Sequence, residues 1–339
     1  MNKIKIGQIG VCHEHAGAKV HALQLLPDVY EIVGVVDDRA THSPRFAGHD
    51  LRPFEGLTWM TEEELLNHPG LQMVVVETPN DDLVPTALRC MHHNLPMHLD
   101  KPGGQDMALF RQLLDGCRER GLPLQMGYMF RNNPAMQFCR KAVSENWLGE
   151  IFEVQASMSH NYGGEAYQKY LSCFPGGIMF NLGCHLIDFV VTLLGRPENI
   201  TSFLKTVGGF HGNAKNNCIT VLEYQHTLVT LRACSFEVDG ITRRSLKICG
   251  TQGTIELSPL ERFDGHPLQL TLTLLEGAGG FSAGTHTVNF GVVQDRYTEQ
   301  LLEMAMVLHG EIENPYTYEH DCLVQEIILA ASGQVAWKN

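Results

Sequence analysis

No run of about 18 uninterrupted apolar residues, the length a helix needs to cross a bilayer, occurs in this 339-residue chain. The N-terminus lacks the apolar stretch and small-residue cleavage site of a secretory signal, and Ile4 to Ile9 reads at once as strand. Paired cysteines are missing too. Ten are scattered without a Cys-x-x-Cys or any regular spacing, which fits reduced thiols in a cytoplasm better than a disulfide framework. Basic runs are also lacking. Twenty-five Lys and Arg against 38 Asp and Glu give a formal charge of −13, which argues against nucleic acid or an anionic membrane as partner. A soluble, cytoplasmic chain is expected, without internal repeats or low-complexity tracts.

What is present is ordinary for a globular enzyme: 44% hydrophobic and 19% charged residues, enough to bury a large core. The length points to two domains. Over residues 1–122, short β-rich runs alternate with helical ones. Strands are expected at Ile4–Ile9, Glu31–Val36, Gln72–Val76, Met97–Leu99 and Leu124–Gly127. Helices are expected at His15–Leu26, Thr61–Asn67, Leu83–His93 and Met107–Arg120. This rhythm predicts an α/β fold with a doubly wound parallel sheet. The second domain is expected over residues 123–339, and after about residue 150 the rhythm changes to longer strands in hairpin order: Ile151–His160, Ile200–Val207, Asn217–Tyr224, Thr227–Glu237, Arg244–Cys249 and Thr254–Leu257. That predicts an α+β domain with a mostly antiparallel sheet covered on one face, flanked by helices at Ile178–Leu194, Asp295–Leu308 and Asp321–Ala331. The Gly- and Thr-rich stretch from Glu261 to Asn289 reads as hairpin extensions or a loop.

The first strand runs into Gly10-Val11-Cys12-His13-Glu14-His15. A dinucleotide loop wants Gly-x-Gly-x-x-Gly for the turn, for approach of the backbone to pyrophosphate and for helix packing. Only Gly10 holds its place; Cys12 and His15 stand where the other glycines would. His13 and His15 are placed to donate to phosphate at the helix start. The spacing of His13, Glu14, His15 and His21 matches no zinc signature, so no metal is expected. The second strand ends in Asp37-Asp38. An acid there hydrogen-bonds the adenosine ribose and repels a 2′-phosphate, favouring NAD, while Arg39 leaves NADP open. The third strand ends in Thr78-Pro79-Asn80, a polar turn on the crevice edge where ligands bind in doubly wound sheets.

Met97-His98-Leu99 leads into Asp100-Lys101-Pro102-Gly103-Gly104. The turn puts an ammonium at the mouth of the sheet, with Asp100 beside it to keep it charged and oriented. Later, Asn181, His185 and Asp188 form a polar stripe on an otherwise apolar helix preceded by Pro175-Gly176-Gly177. Asp188 stands one turn on from His185, in position to fix its tautomer. A lysine and a histidine beside a nucleotide are what hydride transfer between alcohol and carbonyl needs.

These residues, in this order, resemble the glucose-fructose oxidoreductase, inositol dehydrogenase and rhizopine-catabolism (Gfo/Idh/MocA) family. The resemblance runs from the first strand through Thr78-Pro79-Asn80 and Asp100-Lys101-Pro102 to Gly127-Tyr128-Met129-Phe130-Arg131 with Pro134. It continues through Leu148-Gly149-Glu150, Gly176 to Asp188, Gly250 to Thr254 and Tyr318-Glu319-His320-Asp321. It implies an N-terminal Rossmann domain and a C-terminal domain whose large open sheet forms a homodimer or homotetramer. It also implies NAD(P)-dependent oxidation or reduction of sugars, polyols or inositols, with Lys101 and His185 handling protons. Asn181, His160, Tyr162 and Arg131 are then expected to line the pocket, and Gly10, Cys12, His13, His15, Asp37, Thr78, Pro79, Asn80, Asp100 and Lys101 to hold the cofactor. The chain departs from the family pattern at four points: two glycines are lost from the loop, Asp100 replaces glutamate, Leu83 replaces a histidine, and Asn181 replaces an acid. Asn181 takes no proton, so Lys101 or His185 must act without it. A redox-neutral lyase, hydrolase or epimerase that uses NAD, and a silent sugar- or nucleotide-binding protein, are the two alternatives.

Overall fold

The structure is a computed structural model and describes residues 3–42, 50–209 and 214–338. The chain divides into two units. The first comprises Met1–Tyr128 with Arg296–Gln325, and the second Met129–Asp295 with Glu326–Asn339. The boundary expected after residue 122 therefore lies six residues later, and a late segment returns to the first unit.

In the first unit, β1 (Ile4–Ile9), β2 (Tyr30–Val36), β3 (Trp59–Met60), β4 (Met73–Val76), β5 (Met97–Leu99) and β6 (Leu124–Met126) form one sheet in the order β3-β2-β1-β4-β5-β6. Every neighbouring pair is parallel. This is the strand order of dinucleotide-binding sheets, in which the crevice opens where the order reverses, between β1 and β4. The Met-Val-Val-Val of β4 is buried throughout, as a central parallel strand requires. The two-residue edge strand β3 was not expected, so the Asp-Lys-Pro turn follows the fifth strand, not the fourth.

Helices α1 (Ala16–Gln24), α2 (Glu62–Leu66), α3 (Leu83–His92) and α4 (Met107–Arg120) connect these strands. Thr61 and Glu64 close a capping box on α2. Asp106 accepts from the amides of Ala108 and Leu109 at the start of α4, and Gly121 ends it in the left-handed region. The return of Arg296–Gln325 has a packing cause. Leu301, Met304 and Ala305, on the helix Thr298–Leu308, share a core with Ile4, Ile6, Leu23, Tyr30 and Val75. The Tyr30 hydroxyl also donates to the Leu301 carbonyl at 2.6 Å. Without that helix, one face of the sheet would keep this apolar surface in water.

The second unit opens with α5 (Pro134–Ser144), which the sequence reading missed although it carries a standard start: Asn133 accepts from Ala135 and Met136, and Pro134 is the first helical residue. Next come β7 (Ile151–Ser159), α6 (Glu165–Leu171), a π-turn at Met179–Gly183 and α7 (Cys184–Leu194). The strands β8 (Asn199–Lys205), β9 (Asn217–Glu223), β10 (Leu228–Cys234), β11 (Ser245–Gly250), β12 (Gly253–Leu257), β13 (Gln269–Leu274) and β14 (Gly284–Asn289) follow. With β7 they form an eight-stranded sheet, β14-β13-β12-β11-β7-β10-β9-β8. Only β7 and β10 pair in parallel. Val154, Ala156, Met158, Leu231 and Ala233 bury one face of it. On the other, Phe203 stands opposite Ile219, and both are exposed. The stretch from Glu261 to Asn289 holds the hairpin β13–β14. No helix among the described residues is long and apolar enough to cross a membrane.

Candidate active site

In the first unit, β1 delivers Gly10 with φ +99°, and a Cβ there would lie 2.6 Å from the Glu77 carbonyl carbon and oxygen. Only glycine lets the loop after β1 approach the end of β4 this closely. The next two amides, of Val11 and Cys12, donate to Asp38 Oδ1 at 2.8 and 3.0 Å. Asp38, not Asp37, thus anchors the loop. Asp37 is instead gripped by Arg39, whose Nε lies 2.8 and 3.0 Å from its two oxygens. Burial, then the Asp38 charge, pushes the Cys12 thiol up to about 12, so it stays protonated at neutral pH.

A pocket of about 860 Å³ lies against the ends of β1, β2 and β3, with Asp37, Asp38 and Thr78 in its wall. The Thr78 hydroxyl is buried and makes no hydrogen bond among the described residues. Pro79 contributes its carbonyl to the turn, accepting from the Asp82 amide at 2.8 Å. A close-approach glycine, ribose-height acids and an unsatisfied hydroxyl beside a pocket all fit the adenosine half of a dinucleotide. The residues present therefore fit this group at that end.

The loop's histidines do something else. Asp100, buried at the end of β5, accepts from the Lys101 amide with Oδ1 at 2.8 Å. Its Oδ2 lies 2.8 Å from His13 Nδ1 and 2.7 Å from His15 Nδ1. Asp100 was expected to orient the Lys101 ammonium; the structure adds a backbone lock on Lys101 and a pair of histidines. His13 and His15 were expected to reach phosphate, and they are instead gathered on this carboxylate. Asn80, expected at the cofactor, stands 3.2 Å from His13 Nε2 and donates to the Lys101 carbonyl at 3.4 Å.

Three further residues complete the cluster, and the sequence reading assigned none of them. Glu77, fully buried, has Oε2 3.6 Å from His13 Nδ1 and Oε1 3.9 Å from Lys19 Nζ. Lys19 is also buried, 2.6 Å from His98 Nε2 and 4.1 Å from the Tyr297 ring centroid. Signals existed: Lys19 falls on the buried face of α1 with Ala16, Val20 and Leu23, and His98 sits inside an apolar strand. Burial alone would lower the His13 pKa, but Asp100 and Glu77 outweigh it and push it up to about 10. Burial and the Asp100 charge raise Glu77, whereas His15 and His13 overcome burial to hold Asp100 well below the usual carboxylate range.

In the second unit, the helix carrying Asn181 and His185 begins with the π-turn, a feature that favours functional positions but alters side-chain phase. His185 is buried, and its Nδ1 accepts from the Met129 amide at 3.3 Å. That bond leaves the neutral ring's proton on Nε2. Asp188 was expected to set this tautomer; a backbone amide does so instead. Asp188 pairs with Arg131, both buried, through Nε at 3.2 Å and Nη2 at 2.7 Å. Arg131 was expected to line the pocket, and the structure gives it this fixed partner.

Asn181 receives the Tyr170 hydroxyl on Oδ1 at 3.1 Å and donates to the Tyr167 hydroxyl at 3.3 Å. Tyr167 is 2.9 Å from His160 Nε2, and His160 stacks on Tyr162 at 4.0 Å. The structure brings Asn181, His160 and Tyr162 together through two tyrosines on the unforeseen helix α6. The result is a polar aromatic wall, suited to the ring faces and hydroxyls of a polyol.

Residues 136–256 match the model of the GFO/IDH/MocA C-terminal domain. The second unit thus carries a Gfo/Idh/MocA domain, as the motifs implied. The chain is 24% identical over 240 residues to the trans-1,2-dihydrobenzene-1,2-diol dehydrogenase of Bos taurus, covering 69% of this chain and 68% of that protein. It is 22% identical over 250 residues to the scyllo-inositol 2-dehydrogenase (NADP(+)) IolW of Bacillus subtilis, covering 71% and 67%. A solved oxidoreductase from Agrobacterium radiobacter, in complex with NAD+, L-tartaric acid and magnesium, shares the fold with a TM-score of 0.79 at 18% identity, over 99% and 97% of the two chains. These are proteins named dehydrogenases and oxidoreductases, which supports an oxidoreductase.

Proposed function

We propose that the chain is an NAD(P)-dependent dehydrogenase acting on a secondary hydroxyl of a ring polyol. The observation that carries this reading is Lys101: a buried lysine whose backbone is locked by Asp100 at the carboxyl end of β5 in a dinucleotide-type sheet. The two relatives named above point the same way, since a dihydrodiol and an inositol both present adjacent secondary hydroxyls on a six-carbon ring. The nicotinamide cofactor, when bound, supplies the hydride acceptor. Lys101 moves the hydroxyl proton at Nζ. His185, carrying its proton on Nε2, is a donor to the substrate oxygen and not the acceptor, because protonating Nδ1 would oppose it to the Met129 N–H. Asn181, His160 and Tyr162 hold neighbouring hydroxyls.

The test is a thermal-shift titration with NAD(H) and NADP(H), followed by a polyol panel read by reduced-nicotinamide absorbance. A melting-temperature rise with a dinucleotide and NADH formed in step with substrate loss are expected. Substrate consumed at catalytic NAD with no NADH accumulating would instead select a redox-neutral lyase or epimerase. No shift with either dinucleotide would leave a binding protein.

NAD is the proposed cofactor because Asp37 lines the pocket and holds Arg39. Asp37→Ala should free the guanidinium for a 2′-phosphate and move the NADP/NAD affinity ratio toward NADP by about 10–100-fold, the worth of one charged hydrogen bond. An unchanged ratio would remove Asp37 from cofactor choice.

The exposed pair Phe203 and Ile219 supports a homo-oligomer through the open sheet face. Size-exclusion chromatography with light scattering should give twice or four times the 37.8 kDa chain mass, and Phe203→Asp should return it to one. A monomeric parent chain would end this part of the reading.

A further inference from the structure

We propose that His13, His15, Glu77 and Asp100 bind one divalent first-row transition-metal ion of the Zn²⁺ type in the first unit. Their four ligand atoms lie within 4.8 Å of one another. Zn–N and Zn–O bonds of about 2.0–2.2 Å give tetrahedral edges of roughly 3.3–3.6 Å. The separation from His13 Nδ1 to Glu77 Oε2, 3.6 Å, already lies in that range, and those from Asp100 Oδ2 to His13 Nδ1 and His15 Nδ1, 2.8 and 2.7 Å, must open by about half an ångström to reach it.

The donors are arranged as ligands. His13 Nε2 faces the Asn80 oxygen, whose amide end is committed to the Lys101 carbonyl, so Nε2 is the donor there and Nδ1 is the atom that turns inward. There Nδ1 meets the His15 amide at 3.2 Å and two carboxylates. A proton on Nδ1 answers one carboxylate; a dication answers both, and His15 Nδ1 as well. Both Glu77 oxygens are buried and accept no hydrogen bond among the described residues. A buried carboxylate so placed is costly unless a cation meets it.

Each proposed ligand also has an outer partner, the pattern that orients metal ligands. Asn80 faces His13, the Lys101 amide holds Asp100, Lys19 stands behind Glu77, and Glu14 Oε1 lies 3.5 Å from His15 Nε2. Two imidazoles with two carboxylates favour zinc, cobalt or iron(II) over magnesium or calcium, which take all-oxygen sites. No zinc spacing shows along the chain because two of the ligands, Glu77 and Asp100, follow distant strands, β4 and β5. On this reading the substitution of His15 for a loop glycine, and the histidine beside it, supply ligands where the usual loop supplies only backbone.

The proposal does not rest on the dehydrogenase reading, and its test needs no turnover. The full-length protein, stripped with a chelator and desalted, is titrated with Co²⁺ and followed by visible absorption, then with Zn²⁺ and with Mg²⁺ by thermal shift. One equivalent of Co²⁺, displaced by Zn²⁺, and a melting-temperature rise with Zn²⁺ but not Mg²⁺ are expected. His15→Ala and Glu77→Gln should each weaken Co²⁺ binding by about tenfold or more, while the exposed-site control His92→Ala/His93→Ala leaves it unchanged. His15 lies at the rim and tolerates removal if Glu77→Gln fails to fold. No saturable binding, binding indifferent to His15→Ala, or binding lost in the control would overturn the site.

Discussion

Lys101→Met is expected to lower kcat on the turned-over polyol by about 10²–10⁴-fold, the usual worth of a positioned proton-transfer group. Methionine keeps the stem's volume and removes the amine, so the buried volume around residue 101 stays filled. The thermal shift with NAD should persist, which separates lost chemistry from lost binding. Lys101→Arg is the sharper companion. It retains a cation, but one that does not deprotonate in a protein, so it should fail nearly as badly. If arginine restores the rate, Lys101 acts as a fixed charge and the proton leaves by another route. The His185 assignment is read in the same experiment. As an Nε2–H donor, His185 loses rate on change to Ala but keeps much of it as Gln, which also donates at that reach.

Lys101, Gly10 and the Thr78-Pro79-Asn80 turn were legible in the chain because each sits where an apolar strand stops, and strand ends on one edge of a parallel sheet must converge. The second unit's aromatic wall was half legible. Asn181, His160 and Tyr162 stood out, but Tyr167 and Tyr170 lie on α6, seven residues whose mixed pattern gave no helical period. The histidine–carboxylate cluster was illegible for another reason. His13, Glu77 and Asp100 belong to three connections whose meeting is fixed only by the register of β1 against β4 and β4 against β5. Local reading placed Asp100 with the ammonium next to it and Asp188 with the histidine one turn before it. In both cases a more distant partner, His13 and Arg131 respectively, presented the better geometry.

Arg131→Met gives the largest expected effect on folding, because it leaves the Asp188 carboxylate in place without the guanidinium that forks onto it. Breaking a buried pair from one side costs about 3–5 kcal/mol. In a unit of this size that lowers the melting temperature by roughly 10 °C, at about 2–4 °C per kcal/mol. Asp188→Leu in the same background should recover most of the loss, since removing both charges leaves no uncompensated group. The double variant also decides what Arg131 is for. A purely structural pair predicts recovered stability together with a near-normal KM for the polyol. If stability returns while KM stays raised about tenfold or more, corresponding to a lost charged hydrogen bond, Arg131 touches substrate as well as Asp188, and the pocket extends past the aromatic wall of His160, Tyr162 and Tyr167.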